Sequence, residues 1–309
     1  MTEEATPDVR SAKFRAVDRG LIALMILPIL ACMVLKILLT PASEGVAIAG
    51  AMIYFTIPLP LGGMPITESQ VNSWAVMISI LALCLYLTHG LTAKAVCKRQ
   101  LAAEWIVEKC QNLVNNNMGD YFHEWAPFVA AIMGLSAFSS LICLVGLFSP
   151  TGDVNVTFGW ALLVFFMIMH FKLRGGLGNY VLGLFKPIPV LMPMNLIGEF
   201  STPISMAFRH YGNILSGAVI AALIGSALSG LSKSLLGWLP GFLGDIPLLR
   251  VGLPAILSIY FDVFSGVMQA FIFAMLTMLN VAGAVPWDAW NARKEKRKAR
   301  QMKMGKTAA

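Results

Sequence analysis

The fold class of this chain is decided by ISMAFRHYGNILSGAVIAALIGSALSGL, residues Ile204–Leu231. Apart from Arg209 and His210, no residue in this stretch carries a charge near neutral pH, and it contains no proline. An apolar segment of about 20 residues is long enough to cross the hydrocarbon core of a bilayer as a helix. The stretch therefore predicts a long membrane helix that contains one permanent positive charge.

The composition of the whole chain also indicates a membrane protein. Of its 309 residues, 57% are hydrophobic and only 13% are charged, and the mean hydropathy is +0.73. An ordinary soluble domain has about 25% charged residues, so this composition excludes a soluble globule and a disordered chain. Five cysteines, dispersed along the chain, exclude a disulfide scaffold. We therefore expect an all-α polytopic membrane protein.

Four apolar segments predict upright spans, and they precede an apolar block that runs from Pro187 to Ala284. That block is interrupted at Ser201–Pro203 and Ser232–Pro247, and its two main parts predict long helices. The predicted upright spans are Leu21–Thr40, Val71–His89, Pro127–Phe148 and Phe158–Phe171, and the predicted long helices are Ile204–Leu231 and Leu253–Val281.

The first span has two interpretations, an uncleaved anchor or a signal peptide. A signal peptide has a short apolar core after a positively charged segment. Here the apolar run is long, and residues 1–19 hold four acids against four bases. Both features favour the anchor.

Lysine and arginine alternate between the connecting segments, and this alternation predicts the orientation of the chain. Bases precede the first span and occur in His89–Gln111 and Lys172–Lys186, whereas Pro41–Gln70 and Ser149–Thr157 hold none. Eight of the 23 Lys and Arg lie after Trp290. We therefore expect both termini on the cytoplasmic side. The net charge of +7 then reflects orientation and a lipid-contacting tail, and it does not indicate nucleic-acid binding.

The sequence lacks motifs for nucleotide or metal binding. Gly305-Lys306-Thr307 lacks the earlier glycine and the preceding strand of a phosphate-binding loop. The four histidines are scattered and no two have ligand spacing, so we expect no zinc site and no cofactor.

Three charged residues in the long apolar block have no turn to explain them: Glu199, Arg209 and Asp262. A charge at the centre of a membrane helix costs roughly 2.5–3.5 kcal/mol, so these residues are candidates for function. The other charges of the block lie in or beside glycine- and proline-rich turns and are interpreted as loop charges: Lys233, Asp245 and Arg250.

Helical spacing adds polar neighbours to two of these charges. The resulting polar stripes have two interpretations. One is an ion pair that holds two membrane helices together, and the other is an ion path that contains a fixed positive charge; spacing alone leaves both open. The stripes consist of Arg209, Asn213 and Ser216 on one helix and of Asp262, Ser265 and Gln269 on the other.

Four short motifs occur in a characteristic order: DVNVT at Asp153–Thr157, NLIGE at Asn195–Glu199, PISMAFRHYGN at Pro203–Asn213 and QAFIF at Gln269–Phe273. Together they resemble the motifs of subunit a of the F-type ATP synthase, although His210 stands where that family usually has leucine. The resemblance covers residues 71–285. It implies a subunit a core over residues 71–290, an N-terminal extension over 1–70 with an extra membrane helix, and a basic cytoplasmic tail over 291–309.

The resemblance implies a non-catalytic, ion-translocating stator subunit of a rotary ATP synthase. Such a subunit places two long tilted helices against a ring of c subunits. It forms two offset half-channels that carry H⁺ or Na⁺ to and from the ring, and which of the two ions is carried stays open. The implied location is a bacterial plasma membrane, and the implied partners are the c ring, the peripheral-stalk b subunits, the rest of the complex and lipid.

The resemblance also implies roles for individual residues. Arg209 is the stator arginine that prevents leakage, Asp262 belongs to the outer half-channel and Glu199 to the inner one. The remaining implied residues of the ion path are Asn213, Gln269, Ser216, Ser265 and His210, and the outer mouth holds Asp153, Asn155 and Thr157.

Two other functions remain as alternatives. A secondary ion transporter would have related halves with broken helices, and the sequence shows no internal repeat. A structural membrane anchor would use Arg209 and Asp262 only to hold helices together.

Overall fold

The computed structural model describes residues 12–39, 50–58, 63–91, 98–185, 188–236 and 256–287. The predicted basic tail and the predicted loop charges Asp245 and Arg250 lie outside these ranges. The helices are α1 (Ala12–Leu39), α2 (Glu68–Thr88), α3 (Lys98–Met118), α4 (Ala126–Leu141), α5 (Val154–Arg174), α6 (Leu177–Leu184), α7 (Met192–Leu236) and α8 (Gly266–Gly283), the last continuing from a π-helical segment, Ile259–Ser265.

Within the described residues, six segments are long and apolar enough to cross a membrane, and each contains or overlaps one of the six predicted membrane helices. This confirms the predicted class, an all-α polytopic membrane protein. Many apolar side chains point outward, such as Leu38, which is 75% exposed, as expected for a lipid-facing surface. The segments are Phe14–Leu39, Glu68–Thr88, Tyr121–Val145, Val154–Arg174, Pro189–Leu235 and Ile256–Gly283.

A short β-hairpin occupies part of Pro41–Gln70, the connecting segment, or linker, between the first two predicted spans. Strand β1 (Ile53–Ile57) pairs antiparallel with β2 (Met64–Thr67). The β-branched and aromatic residues of β1 suit a strand, which explains why this apolar stretch is extended. The Glu68 N–H donates to the Met52 carbonyl at 2.7 Å, so the hairpin is attached directly to the start of α2.

Helix α7 is continuous through Pro203, so the interruption predicted at Ser201–Pro203 does not occur. A proline inside a helix removes one backbone hydrogen bond, but membrane helices tolerate this where nearby groups satisfy the backbone. Pro203 leaves the Glu199 carbonyl, four residues earlier, without its backbone donor, and the Thr202 hydroxyl donates to the preceding carbonyl, that of Gly198, at 3.2 Å. The same helix also includes Lys233, which lies in its last turn rather than in the predicted loop.

The bundle has two ends that matter for the site. The hairpin end contains the β-hairpin, Glu68 and residues 146–153, and the opposite end contains Lys172 and Glu199. Between them a buried apolar core joins α3, α4, α5, α7 and α8. Its largest fully buried members include Phe273, Met278, Val129 and Val164.

Helix α1 is attached to the bundle by polar contacts along its length. Near its start, Asp18 forms an ion pair with Arg99 of α3 at 3.1 Å. In the middle, the Ser79 hydroxyl of α2 donates to the Met25 carbonyl at 2.8 Å, close to the helix-breaking Pro28. Interhelical hydrogen bonds in membranes contribute about 0.6 kcal/mol on average. These contacts are specific and do not depend on lipid.

Two glycines allow the site helices to approach closely. A Cβ on Gly266 of α8 would lie 2.7 Å from the Ser140 Cβ of α4, and one on Gly217 of α7 would lie 3.0 Å from the Phe261 Cβ. Small residues at such positions let membrane helices pack backbone to backbone. Glycine therefore determines how near α8 lies to its neighbours.

Replacing Gly266 with alanine should push α8 away from α4, because the added Cβ overlaps Ser140. Overpacking of this kind costs about 1–3 kcal/mol. We expect a lower thermal unfolding midpoint for the purified protein in detergent. The matched control is Gly134→Ala in α4, where an added Cβ meets no atom within 4 Å. Equal midpoints for the two variants would contradict the close contact.

Candidate functional site

Helices α7 and α8, with the π-helical segment, run antiparallel and bring predicted site residues together. The residue numbers of the partners fall as the numbers along α7 rise, as an antiparallel pair requires. The contacting pairs are Met206 with Asn280, His210 with Phe273, Asn213 with Ser265 and Gly217 with Phe261.

Arg209 lies on the exposed surface of α7. Its neighbour Phe208 is 56% exposed, and Phe264 and Phe271 near the start of α8 are also exposed. Among the described residues, Arg209 has no hydrogen-bond or ion-pair partner. The structure therefore presents a permanent charge on an apolar surface, pointing away from the chain's own core.

Asn213 lies one turn after Arg209 and connects the two polar stripes. Its Oδ1 accepts a hydrogen bond from the Ser265 hydroxyl at 2.6 Å. Its Nδ2 is buried and has no hydrogen-bond partner in the described part of the chain. A buried donor without a partner is costly, so this amide marks a place where a further polar group can bind.

His210 faces the core, unlike its neighbour Arg209. It is fully buried, and its Nε2 lies 3.0 Å from the Ser136 hydroxyl of α4. The rings of Trp160 and Phe273 lie 6.0 and 5.6 Å away, centroid to centroid. The second ring nitrogen, Nδ1, has no partner among the described residues. The residue that departs from the family pattern therefore links α7 to α4.

Asp262 lies within the π-helical segment and accepts a hydrogen bond from the Ser258 hydroxyl. Single π-helical turns inside α-helices occur frequently at functional sites. Both Arg209 and Asp262 are described, and no ion pair joins them. The interpretation in which an Arg–Asp pair holds the two helices together therefore has no support in this structure.

The two remaining residues of the stripes are Gln269 and Ser216. Gln269 is 7% exposed and lies one turn after Ser265. Ser216 is exposed, and its hydroxyl donates to the Asn213 carbonyl of its own helix at 3.0 Å. The structure thus joins Asn213 and Ser265 directly, with Arg209 and Gln269 one turn away on their respective helices.

The three residues predicted for the outer mouth lie at the hairpin end. Asp153 caps α5 by accepting from the Asn155 N–H at 2.9 Å, and it also accepts from the Ser69 hydroxyl at 2.5 Å. Thr157 is fully buried and bonds to backbone carbonyls of its own helix. The Asn155 side chain is exposed. Asp153 is therefore the member of this group with a contact to another helix.

A row of buried hydroxyls, which was not predicted from the sequence, runs inward from the hairpin end. The Ser149 hydroxyl donates to the Ser139 carbonyl at 2.7 Å and lies 2.7 Å from the Thr151 hydroxyl. Ser140 donates to the Ser136 carbonyl at 3.2 Å, and Ser136 contacts His210. The serine spacing i, i+3, i+4 on α4 was the available signal. This hydroxyl row consists of Ser136, Ser139, Ser140, Ser149 and Thr151.

Glu68 was also missed, because it was assigned to the linker. The structure places it at the first position of α2, where it is 3% exposed and forms an ion pair with Lys36 at 3.2 Å. An acid immediately before an apolar span was the available signal. The partner of this buried carboxylate, Lys36, lies in the last turn of α1.

Glu199 lies at the opposite end, beside a cavity of about 570 Å³. Residues that line this cavity include Glu199, Asn179, Asn195 and Thr202. Its carboxylate accepts from the Lys172 ammonium at 2.7 Å and from the Tyr180 hydroxyl at 2.5 Å. Burial, followed by the neighbouring Glu199 carboxylate, raises the pKa of Tyr180 to about 12. Tyr180 therefore stays protonated and acts as a hydrogen-bond donor.

Across the residues the structure describes, no group of three or more His, Cys, Asp or Glu side chains could hold a metal ion. The polar groups near α7 and α8 are hydroxyls, amides and isolated charges.

Comparison with known proteins identifies relatives of this chain. The family described as ATP synthase A chain matches residues 70–281. The sodium ion specific ATP synthase subunit a of Propionigenium modestum is 27% identical over 270 residues, covering 77% of this chain and 86% of that protein. ATP synthase subunit a of Legionella pneumophila strain Corby is 29% identical over 227 residues, covering 73% and 89%.

A third relative, ATP synthase subunit a of Desulforamulus reducens, is 31% identical over 219 residues, covering 70% of this chain and 78% of that protein. The matched region contains or overlaps five of the six segments that can cross a membrane among the described residues, and it includes Arg209, Asn213, Asp262 and Gln269. The protein is therefore an integral membrane protein, and it belongs to the ATP synthase A chain family, the family of ATP synthase subunit a.

Proposed function

We propose that this protein is the ion-translocating stator subunit of a rotary ATP synthase and that Arg209 is its fixed charge. The observation that carries the proposal is the exposure of Arg209 on an apolar membrane surface, with no partner among the described residues. A guanidinium stays charged in proteins, so it needs an acceptor. A carboxylate on a neighbouring c subunit would supply one.

Electrostatics explain how such a contact would move ions. A carboxylate that faces lipid must be neutral, because a charge there is costly. Beside Arg209 the charged form becomes favourable, so the carboxylate releases its proton or Na⁺. The same positive charge repels a free cation, and this would prevent leakage between the two half-channels. The driving force is about 2.3 kcal/mol per charge for each 100 mV of membrane potential.

The outer half-channel is proposed to begin at the hairpin end. Asp153, Asn155 and Thr157 lie there, and the hydroxyl row leads inward to His210, next to Arg209 in sequence. Asp262, Ser265, Asn213 and Gln269 then provide polar groups between α7 and α8, with Ser216 one turn farther along α7. The inner half-channel is proposed to use the cavity beside Glu199.

The length of α7 supports a tilted placement. Its 45 residues, at about 1.5 Å per residue, extend about 67 Å, more than twice the roughly 30 Å hydrocarbon core. An upright helix of that length would project far beyond the membrane. A helix that lies obliquely against a ring would keep Arg209 within the bilayer.

The finer organisation is proposed as well. It comprises an extension over residues 1–70, a core over 71–290 and a basic tail over 291–309, with both termini on the cytoplasmic side of a bacterial plasma membrane. The proposed direct partners are the c ring and the peripheral-stalk b subunits.

Replacing Arg209 with alanine should abolish ATP-driven ion pumping while the complex still assembles, because the fixed charge at the ring contact is lost. We expect the pumping rate of purified complexes in proteoliposomes to fall to background. The matched control is Lys233→Ala, which removes an exposed base near the end of the same helix and should leave pumping unchanged. Normal pumping by Arg209→Ala would refute the stator role. Loss of the protein from the membrane would favour the anchor alternative.

Replacing Asp262 with asparagine should slow ion uptake from the outer side, because the amide cannot titrate. We expect ATP synthesis at low membrane potential to fall about threefold or more, with a smaller deficit at high potential. The control is Glu108→Gln, which neutralises an exposed acid on α3. Identical synthesis by Asp262→Asn and the parent at every potential would remove Asp262 from the path.

Replacing Tyr180 with phenylalanine should slow pumping roughly two- to tenfold, because Glu199 loses a hydrogen-bond donor. The pKa of Tyr180, about 12, lies above its usual value of 10. The hydroxyl therefore stays protonated from about pH 6 to 9, and the ratio of variant to parent rate should be constant over that range. A ratio that approaches one as the pH rises to about 9 would show that Tyr180 ionises there.

A further inference from the structure

Helix α1 precedes the residues that match the family, yet its last turn contacts the hairpin end. The Lys36 ammonium lies 3.2 Å from Glu68 Oε1 and donates to the Gly146 carbonyl at 2.9 Å. One side chain of α1 thus holds the start of α2 and the turn that follows α4.

Glu68 depends on this contact because its carboxylate is buried. Glu68 is 3% exposed. The other described hydrogen-bond donor to its carboxylate, the Phe148 N–H, lies 3.4 Å from Oε1. A buried carboxylate without a counter-charge is favoured in its neutral form. The Lys36 ammonium, 3.2 Å from Glu68 Oε1, supplies that counter-charge.

The pair is connected to the proposed outer mouth by two further hydrogen bonds. Ser69, the next residue after Glu68, donates its hydroxyl to Asp153 at 2.5 Å. Asn72, one turn later, donates to the Phe148 carbonyl at 2.8 Å. These bonds fix residues 146–153, which include Ser149 and Thr151 at the start of the hydroxyl row.

The other titratable groups near the pair do not replace Lys36. Tyr54 of β1 and Cys32 of α1 lie near Glu68, and Cys143 lies near Lys36 and Asp262. Burial, followed by the Glu68 charge, raises the pKa of Tyr54 to about 12, so Tyr54 stays neutral. Within the described ranges, Lys36 is the only cation in ion-pair contact with Glu68.

We propose that Lys36 is a positioning residue for ion uptake: its ammonium fixes Glu68 and residues 146–153 so that the hydroxyl row stays open to ions arriving at the hairpin end. Helix α1 is then a working part of the ion path and not only an anchor. The inference rests on the proposed function, in which the hairpin end faces outward.

The test uses the complete ATP synthase in proteoliposomes, with ATP synthesis driven by an imposed potential. The outside pH is varied at constant Na⁺, and the outside Na⁺ concentration is varied at constant pH. Lys36→Met removes the charge, and Lys36→Arg retains it. The matched control is Arg19→Met, which removes an exposed base from the same helix.

We expect Lys36→Met to raise the outside ion concentration for half-maximal synthesis at least threefold, while the maximal rate changes less than twofold. Lys36→Arg and Arg19→Met should stay within twofold of the parent in both quantities. If Lys36 had only a structural role, Lys36→Met would reduce the amount of assembled complex and so lower the maximal rate. The ion concentration for half-maximal synthesis would then stay unchanged.

The double variant Lys36→Met/Glu68→Gln keeps the test decisive if Lys36→Met does not assemble, because it leaves no uncompensated buried charge. It should assemble and retain the shift in half-saturation. Half-saturation equal to that of the parent in the double variant would overturn the proposal. The proposed function itself is tested separately, because normal pumping by Arg209→Ala would refute it whatever the result for Lys36.

Discussion

The arrangement of this protein depends on the cost of placing a permanent charge in an apolar membrane helix. Several other described charges in or beside the spans are paired, among them Asp18 with Arg99, Lys36 with Glu68, and Lys172 with Glu199. Arg209 is different, since no described residue neutralises it. The close packing at Gly217 and Gly266 keeps α7, α8 and α4 together without using that charge. The guanidinium therefore remains available to a group outside the chain.

The membrane helices could be predicted because hydropathy over some 20 residues depends little on tertiary contacts. Two features of the structure were not predicted, each for its own physical reason. The average hydropathy did not reveal the hairpin, because Ile53–Ile57 is as apolar as a membrane helix although it is rich in residues that favour strands. Pro203 suggested a break because proline usually ends helices in water, whereas membrane helices tolerate an internal proline and α7 continues through it.

The candidate site could be predicted only as far as local spacing reaches. The i, i+4 relation placed Arg209 and Asn213 on one face, and an amide and a hydroxyl from two predicted stripes, Asn213 and Ser265, do meet. Pairing between distant elements could not be derived this way. Lys36 and Glu68 stand on different elements, and the orientation of His210 toward Ser136 depends on how α7 packs against α4.

The unbroken course of α7 has a mechanical consequence. A 45-residue helix without a break behaves as a stiff rod, and Arg209 projects from its side, closer to its start than to its end. A partner that attracts the guanidinium sideways exerts torque on the whole rod. The restoring force comes from its lateral supports, among them the close contacts of Ile214 with Gly152 and of Gly217 with Phe261. Under the proposed stator function, stiffness in α7 would let a moving neighbour slide past a charge that hardly moves.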